Sequence, residues 1–156
     1  MSKLASTVAV ATALLSGAAF AQTDKPTIIL VHGAFADASS WNGVITQLQQ
    51  EGYRTLAVAN PLRSVSNDAR LVSDVVASIE GPVILVGHSY GGQVISNVTA
   101  GNANIKSLVY VAAFAPDEGE AAGDLAGMFP GGTLGEALAP PVSLADGGVD
   151  LYIDQA

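Results

Sequence analysis

A serine with glycine two residues before it and two after, Gly87-His88-Ser89-Tyr90-Gly91, is the pattern in this chain best suited to chemistry. A seryl hydroxyl held on a sharp turn can attack an acyl carbon. The turn forces the serine into a strained backbone and leaves no room for neighbouring side chains, a demand that Gly87 and Gly91 meet. Context makes the pattern specific. An apolar, β-branched run at residues 82–86 precedes it, and a helix-like run at residues 92–98 follows it. Strand, G-x-S-x-G and helix together describe a nucleophile elbow, with Ser89 as the nucleophile.

Acyl transfer places negative charge on an oxygen, and that charge needs backbone N–H donors aimed at it. His32-Gly33-Ala34 ends another apolar run, residues 27–31, and can supply one donor. The Ala34 and Tyr90 amides are the two candidates for this oxyanion hole. His32 and Gly33 read as residues that shape and fix the loop. A serine also needs a base, and the chain has only two histidines, His32 and His88. His88 is adjacent to Ser89, so in elbow geometry its side chain points away from the seryl oxygen and only supports the turn. Trp41 reads as helix packing. Asp117, Glu118, Glu120 and Asp124 read as a solvated acidic loop, since no histidine is available for an acid to orient.

The elements that must position these residues follow from periodicity. Short apolar runs bounded by turn residues predict strands at 27–31, 53–59, 83–86 and 107–113. A helix capped by Asp37, Ser39 or Ser40 carries Trp41, Ile45 and Leu48 on one face and ends at Gly52. A second, capped by Ser66 or Asn67, carries Ala69, Val72, Val75, Val76 and Ile79. A third runs from Ser89 to about Gly101. Strands alternating with helices imply crossovers and a parallel α/β sheet. From Phe114 onward the periodicity fades into a Gly-, Pro- and Ala-rich tail, and residues 123–156 are read as irregular.

Composition narrows the field. The 156 residues carry a net charge of −8, and only 13% are charged. No basic stripe exists to neutralise phosphates, which argues against nucleic acid as a partner. Eight acidic residues and no Lys or Arg follow Lys106. The absence of cysteine rules out disulfides and thiolate chemistry, and two distant histidines give no metal-ligand spacing. No cofactor is expected. Residues 1–21 read as a signal peptide: Lys3, an uncharged stretch from Leu4 to Leu15, and Ala19-Phe20-Ala21 before the cut. Export to a periplasm or the medium follows, with no stable membrane anchor after cleavage.

The segments 30–41, 86–92 and 108–116 resemble the α/β-hydrolase superfamily. They are most similar to small bacterial esterase-like members related to plant methyl esterases and hydroxynitrile lyases. The resemblance spans roughly residues 26 to 120. It implies an α/β-hydrolase-type parallel sheet with helices on both faces and the strands before Ala34 and Ser89 side by side. It further implies Ser89 as nucleophile, Ala34 and Tyr90 as oxyanion donors, and a small-molecule ester-like substrate. Such proteins continue for about another hundred residues carrying a cap, further strands and the triad acid and histidine. The chain is therefore expected to be an N-terminal portion, with residues 22–122 forming part of the hydrolase domain and residues 123–156 beginning a cap. Negligible turnover is expected of it alone. A lyase on the same scaffold and an inactive ligand-binding module stay open as alternatives. The apolar fourth strand is expected to present an unpaired edge and promote self-association.

Overall fold

The computed structural model describes residues 25–98 and 101–154. The signal-peptide reading at residues 1–21 lies outside the described residues. Four strands, β1 (Thr27–Val31), β2 (Thr55–Val58), β3 (Val83–His88) and β4 (Ile105–Val111), form one sheet in the order β2-β1-β3-β4, with all pairs parallel. Between them lie α1 (Asn42–Gln50), α2 (Val65–Ala77) and α3 (Tyr90–Ser96).

Strand β1 sits at the centre, and all five of its residues are buried. Its side chains alternate between two cores, as the pleat requires. Ile29 and Val31 join Val58, Val72, Val76, Leu85, Val94 and Ile95 under α2 and α3. Ile28 and Leu30 join Trp41 on the opposite side, with Ile45 and Leu48 of α1 packed against them. Helices thus cover both faces, and Trp41 is a packing residue as its position on the stripe implied.

Several boundaries differ from the sequence expectation, each for a local reason. The first helical segment opens with a 3-10 turn, Ala38–Trp41, capped by Asp37, whose carboxylate accepts from the Ser39 N–H at 2.7 Å. Helix α2 starts at Ser64, not at Ser66 or Asn67: Ser64 is extended and its Oγ accepts from the Asn67 N–H. Helix α3 stops at Ser96, because Asn97 leaves helical geometry and its side chain donates back to the Gln93 carbonyl. Strand β2 is shorter than expected. Strand β3 continues through His88, so the turn at Ser89 begins directly at the strand end. Strand β4 begins two residues early and ends at Val111, where Ala112 takes a positive φ of 43°.

The stretch read as irregular contains short regular pieces. Helix α4 (Ala122–Gly127) is followed by a 3-10 turn at Leu134–Ala137 and a hairpin of β5 (Val142–Ser143) and β6 (Val149–Asp150). The hairpin turns through Asp146-Gly147, with Gly147 at φ 88°, a known hairpin signal that the low periodicity masked. The segment folds back on itself: the Ala139 N–H donates to the Tyr152 carbonyl, and the Asp154 N–H to the Ala137 carbonyl.

Strand β4 pairs with β3 on one side, and Leu108, Val109, Tyr110 and Val111 are all exposed, at 38–42%. Residues of both faces are among them. No helix among the described residues is long and apolar enough to cross a membrane.

Candidate active site

The sheet order brings the ends of β1 and β3 together. Val31 pairs with Gly87, so the loop His32-Gly33-Ala34 emerges beside the turn at Ser89. Ser89 has φ 52° and ψ −124°, a conformation that L-residues adopt only when their surroundings enforce it. The surroundings do so by close contact. A side chain at Gly33 would lie 2.7 Å from Ser89 Cβ and 3.2 Å from its Oγ. One at Gly87 would lie 2.5 Å from the Gly91 carbonyl oxygen, and one at Gly91 would collide with the Val31 carbonyl oxygen. The Ser89 carbonyl accepts from the Gly92 N–H at 3.0 Å and the Phe114 N–H at 3.1 Å, which ties the elbow to the chain beyond β4. Ser89 is half-buried, and its hydroxyl has no hydrogen-bond partner among the described residues.

Of the expected support residues, His32 is the most constrained. It is 2% exposed. Its Nε2 accepts from the Asn60 N–H at 3.1 Å, so the proton sits on Nδ1, which donates to the Gly33 carbonyl at 2.9 Å. Both ring nitrogens are therefore occupied in fixing the loop that ends at Ala34. His88 packs its ring edge-on to Trp41, with centroids 6.4 Å apart. Neither histidine hydrogen-bonds to Ser89. Ala34 is exposed and next to Gly33, and Tyr90 opens α3 immediately after Ser89.

Sequence reasoning passed over three residues. Asn60, read only as a strand stop, bonds His32 through its N–H and through Nδ2, which donates to the His32 carbonyl at 3.4 Å. Gly92 lets α3 lie against Phe114 and Ala113, whose atoms would overlap a side chain there. Asp68 is 0% exposed. Its Oδ2 accepts from the Tyr90 hydroxyl at 2.9 Å and its Oδ1 from the Arg63 N–H at 3.3 Å. The signal was present, since Asp68 interrupts the apolar stripe of α2 beside Ala69 and one turn before Val72. The acidic loop behaves as expected of a solvated one: Glu120 accepts from the Asp117 N–H, and both are exposed. Among the described residues no cluster of His, Cys, Asp and Glu is placed to hold a metal.

Strain is concentrated at one edge. The non-glycine residues with positive φ are Phe35, Leu62, Ser89 and Ala112, and each lies just beyond the C-terminal end of a different sheet strand. That is the edge where open α/β sheets bind ligands. A cavity of about 580 Å³ opens there against Ala34, Phe35 and Leu62 on one side and the 149–153 segment on the other. Arg63 and Asp150 close part of it with an ion pair of 2.9 Å. At its rim, hydrogen bonds from Ser39 hold the Asp37 carboxyl below its ordinary range.

Two expected outcomes follow from this geometry. Gly91→Ala should lower stability by about 1–3 kcal/mol, because backbone atoms must move to admit the methyl. Gly43→Ala in α1, with open space around it, should instead gain about 0.5–1 kcal/mol. Chemical denaturation of the two variants measures both. The Tyr90 phenol is pushed well above its usual range, first by burial, then by the hydrogen bond to Asp68 and by its charge. The neutral phenol is thus favoured in the fold, so its contribution is complete below about pH 10 and lost as the pH rises further. Denaturation at increasing alkaline pH should show a steeper loss for the unsubstituted chain than for Tyr90→Phe.

The chain is 35% identical over 130 residues to the carbendazim hydrolyzing esterase of a Nocardioides species, covering 74% of this chain and 50% of that protein. Among solved structures, a pyrethroid hydrolase from Sphingobium faniae superposes with a TM-score of 0.60 at 25% identity, covering 78% of this chain and 53% of the other. Polyneuridine aldehyde esterase superposes with a TM-score of 0.70 at 20% identity, covering 83% and 58%, a likeness of fold. The chain spans half or less of the length of the curated relatives it matches. The model of the alpha/beta hydrolase family matches residues 28–154, from β1 to the end of the described chain, and the protein belongs to that family.

Proposed function

We propose that this chain carries the nucleophile and oxyanion hole of a serine esterase acting on small-molecule esters. Ser89 Oγ attacks the ester carbonyl as its proton passes to a general base, and the Ala34 and Tyr90 N–H groups receive the developing oxyanion. The carbon–oxygen bond to the alcohol then breaks, the base returning that proton to the departing oxygen, which leaves an acyl group on Ser89. Water attacks that acyl-enzyme, releases the acid and restores the serine. The observation that carries this reading is Ser89 itself: a strained serine at a strand end, pressed against Gly33, with a hydroxyl that no other described residue engages. Relatives named as a carbendazim hydrolyzing esterase and a pyrethroid hydrolase agree with a small ester-like substrate. The mechanism calls for no cofactor or metal.

Neither histidine serves as the base, since His32 is locked in its loop and His88 faces Trp41. Loss of the catalytic histidine in a studied serine protease lowers the rate by about 10⁶. The chain alone is therefore expected to acylate slowly, on the residual rate that an oxyanion hole supplies, and without appreciable turnover. Mass spectrometry after incubation with a fluorophosphonate should find one adduct, on Ser89, absent in Ser89→Ala. An unmodified Ser89 in a chain that cleaves a cyanohydrin would replace the esterase with the lyase reading.

Lys3, the uncharged Leu4–Leu15 stretch and Ala19-Phe20-Ala21 support export to a periplasm or the medium. Strand β4 supports self-association, because its outer edge and exposed Leu108 to Val111 can pair with a second copy. Analytical ultracentrifugation should show species larger than a monomer, shifted toward monomer by Val109→Lys. A monomer in the unsubstituted chain at all concentrations would refute it.

A further inference from the structure

Asp68 takes no part in the chemistry outlined above, yet it is fully buried and touches the elbow. Burying a carboxylate is unfavourable unless hydrogen bonds replace its water. Asp68 has two such bonds, from the Tyr90 hydroxyl and the Arg63 N–H, and no ion pair among the described residues. It also sits in the first turn of α2, where a negative charge is favoured. An apolar side chain would fit the stripe of Ala69, Val72 and Val76 at lower cost, so what sets the carboxylate apart is what it holds.

What it holds is the residue after the strained serine. The Ser89–Tyr90 peptide carries the Tyr90 N–H, and its direction is set by the unusual ψ of Ser89. The Ser89 carbonyl end of that peptide is fixed by the Gly92 and Phe114 amides. At the other end, the side chain of Tyr90 reaches across to α2 and is tied to Asp68. We propose that Asp68 is a positioning residue: through the Tyr90 hydroxyl it keeps the Ser89–Tyr90 peptide turned so that its N–H points into the oxyanion hole. The inference rests on the esterase reading for its consequence, and on geometry alone for the tether. Through Oδ1 the same carboxylate holds the backbone of Arg63, whose side chain pairs with Asp150 at the rim of the neighbouring cavity. One buried group therefore sets both the elbow and the loop after β2.

The test uses the full chain with Asp68→Ala, Asp68→Asn, Tyr90→Phe and the double variant Asp68→Ala/Tyr90→Phe. Two quantities are read: amide hydrogen exchange over residues 88–92 by mass spectrometry, and the rate of fluorophosphonate addition to Ser89. Asp68→Ala and Tyr90→Phe should each speed exchange at 88–92 by about tenfold while β1 stays protected. Each should slow adduct formation by about 10- to 100-fold, the effect of misdirecting a group in the site. The double variant should be no worse than Asp68→Ala, because both single variants remove the Tyr90–Asp68 bond and Asp68→Ala already removes the bond to Arg63 as well. Asp68→Asn, whose amide oxygen can accept from the Arg63 N–H while its NH2 donates to the phenol oxygen, should stay close to the unsubstituted chain in both readings. Exchange at 88–92 that is unchanged in Asp68→Ala, or losses that multiply in the double variant, would overturn the proposal. If Asp68→Ala does not fold, Tyr90→Phe decides, since it removes only the hydroxyl. Failure of the unsubstituted chain to form any adduct would refute the serine reading, and the exchange measurement would still decide the tether.

Discussion

The structure depends on how closely the ends of β1 and β3 approach each other around Ser89. The Val31 carbonyl lies where a side chain on Gly91 would project, and Gly33 lies where one would meet Ser89. Parallel pairing of Val31 with Gly87 brings these segments together, and the close packing then leaves Ser89 no relaxed conformation. Strain of this kind amounts to about 1–3 kcal/mol and persists only where the surroundings over-determine the backbone. Here the surroundings are the central sheet itself, with β1 buried along its whole length. A well-packed core is therefore what lets the elbow hold its shape.

The polar groups around the elbow extend that constraint outward in two directions. On one side, Asn60 at the end of β2 fixes His32, which fixes the Gly33 carbonyl and with it the loop leading to Ala34. On the other, Asp68 of α2 fixes Tyr90. Both are buried and hydrogen-bonded, and each links the region beyond β2 to one of the two candidate oxyanion donors. The arrangement ties the shape of the candidate site to the β2–α2 connection and the first turn of α2.

Much of this was legible in the sequence because it follows from local rules. Alternating apolar runs located all four strands of the main sheet, and the spacing of Gly87, Ser89 and Gly91 located the elbow. The α/β-hydrolase fold follows from the same segments, and the family match agrees. What was not legible depends on contacts between distant segments. Asn60 looked like a strand stop because its partner is 28 residues away in sequence. Asp68 looked like an ordinary helix residue because its meaning lies in Tyr90, 22 residues on. The start of α2 was misjudged by two or three residues because Ser64, Ser66 and Asn67, all capable of capping, stand together. The β5–β6 hairpin was missed because two-residue strands carry too little pattern to read.

The strained non-glycine residues gather at one edge of the sheet. Phe35, Leu62, Ser89 and Ala112 follow β1, β2, β3 and β4 in turn, and no non-glycine residue among the described ones has positive φ at the opposite edge. Each strand of the sheet thus hands over to a loop that carries one left-handed residue at the same edge. The 149–153 segment also reaches this edge, where it walls a cavity against Ala34 and Phe35. Both the convergence of strained loops and the return of the chain onto them require a rigid base, which β1 and β3 provide. Strand β4 is exposed and has no strand partner on its outer side among the described residues. Its ties to the elbow are the pairing of Val111 with His88, the Phe114 N–H on the Ser89 carbonyl and the contact at Gly92, so whatever pairs with β4 acts on Ser89 through these.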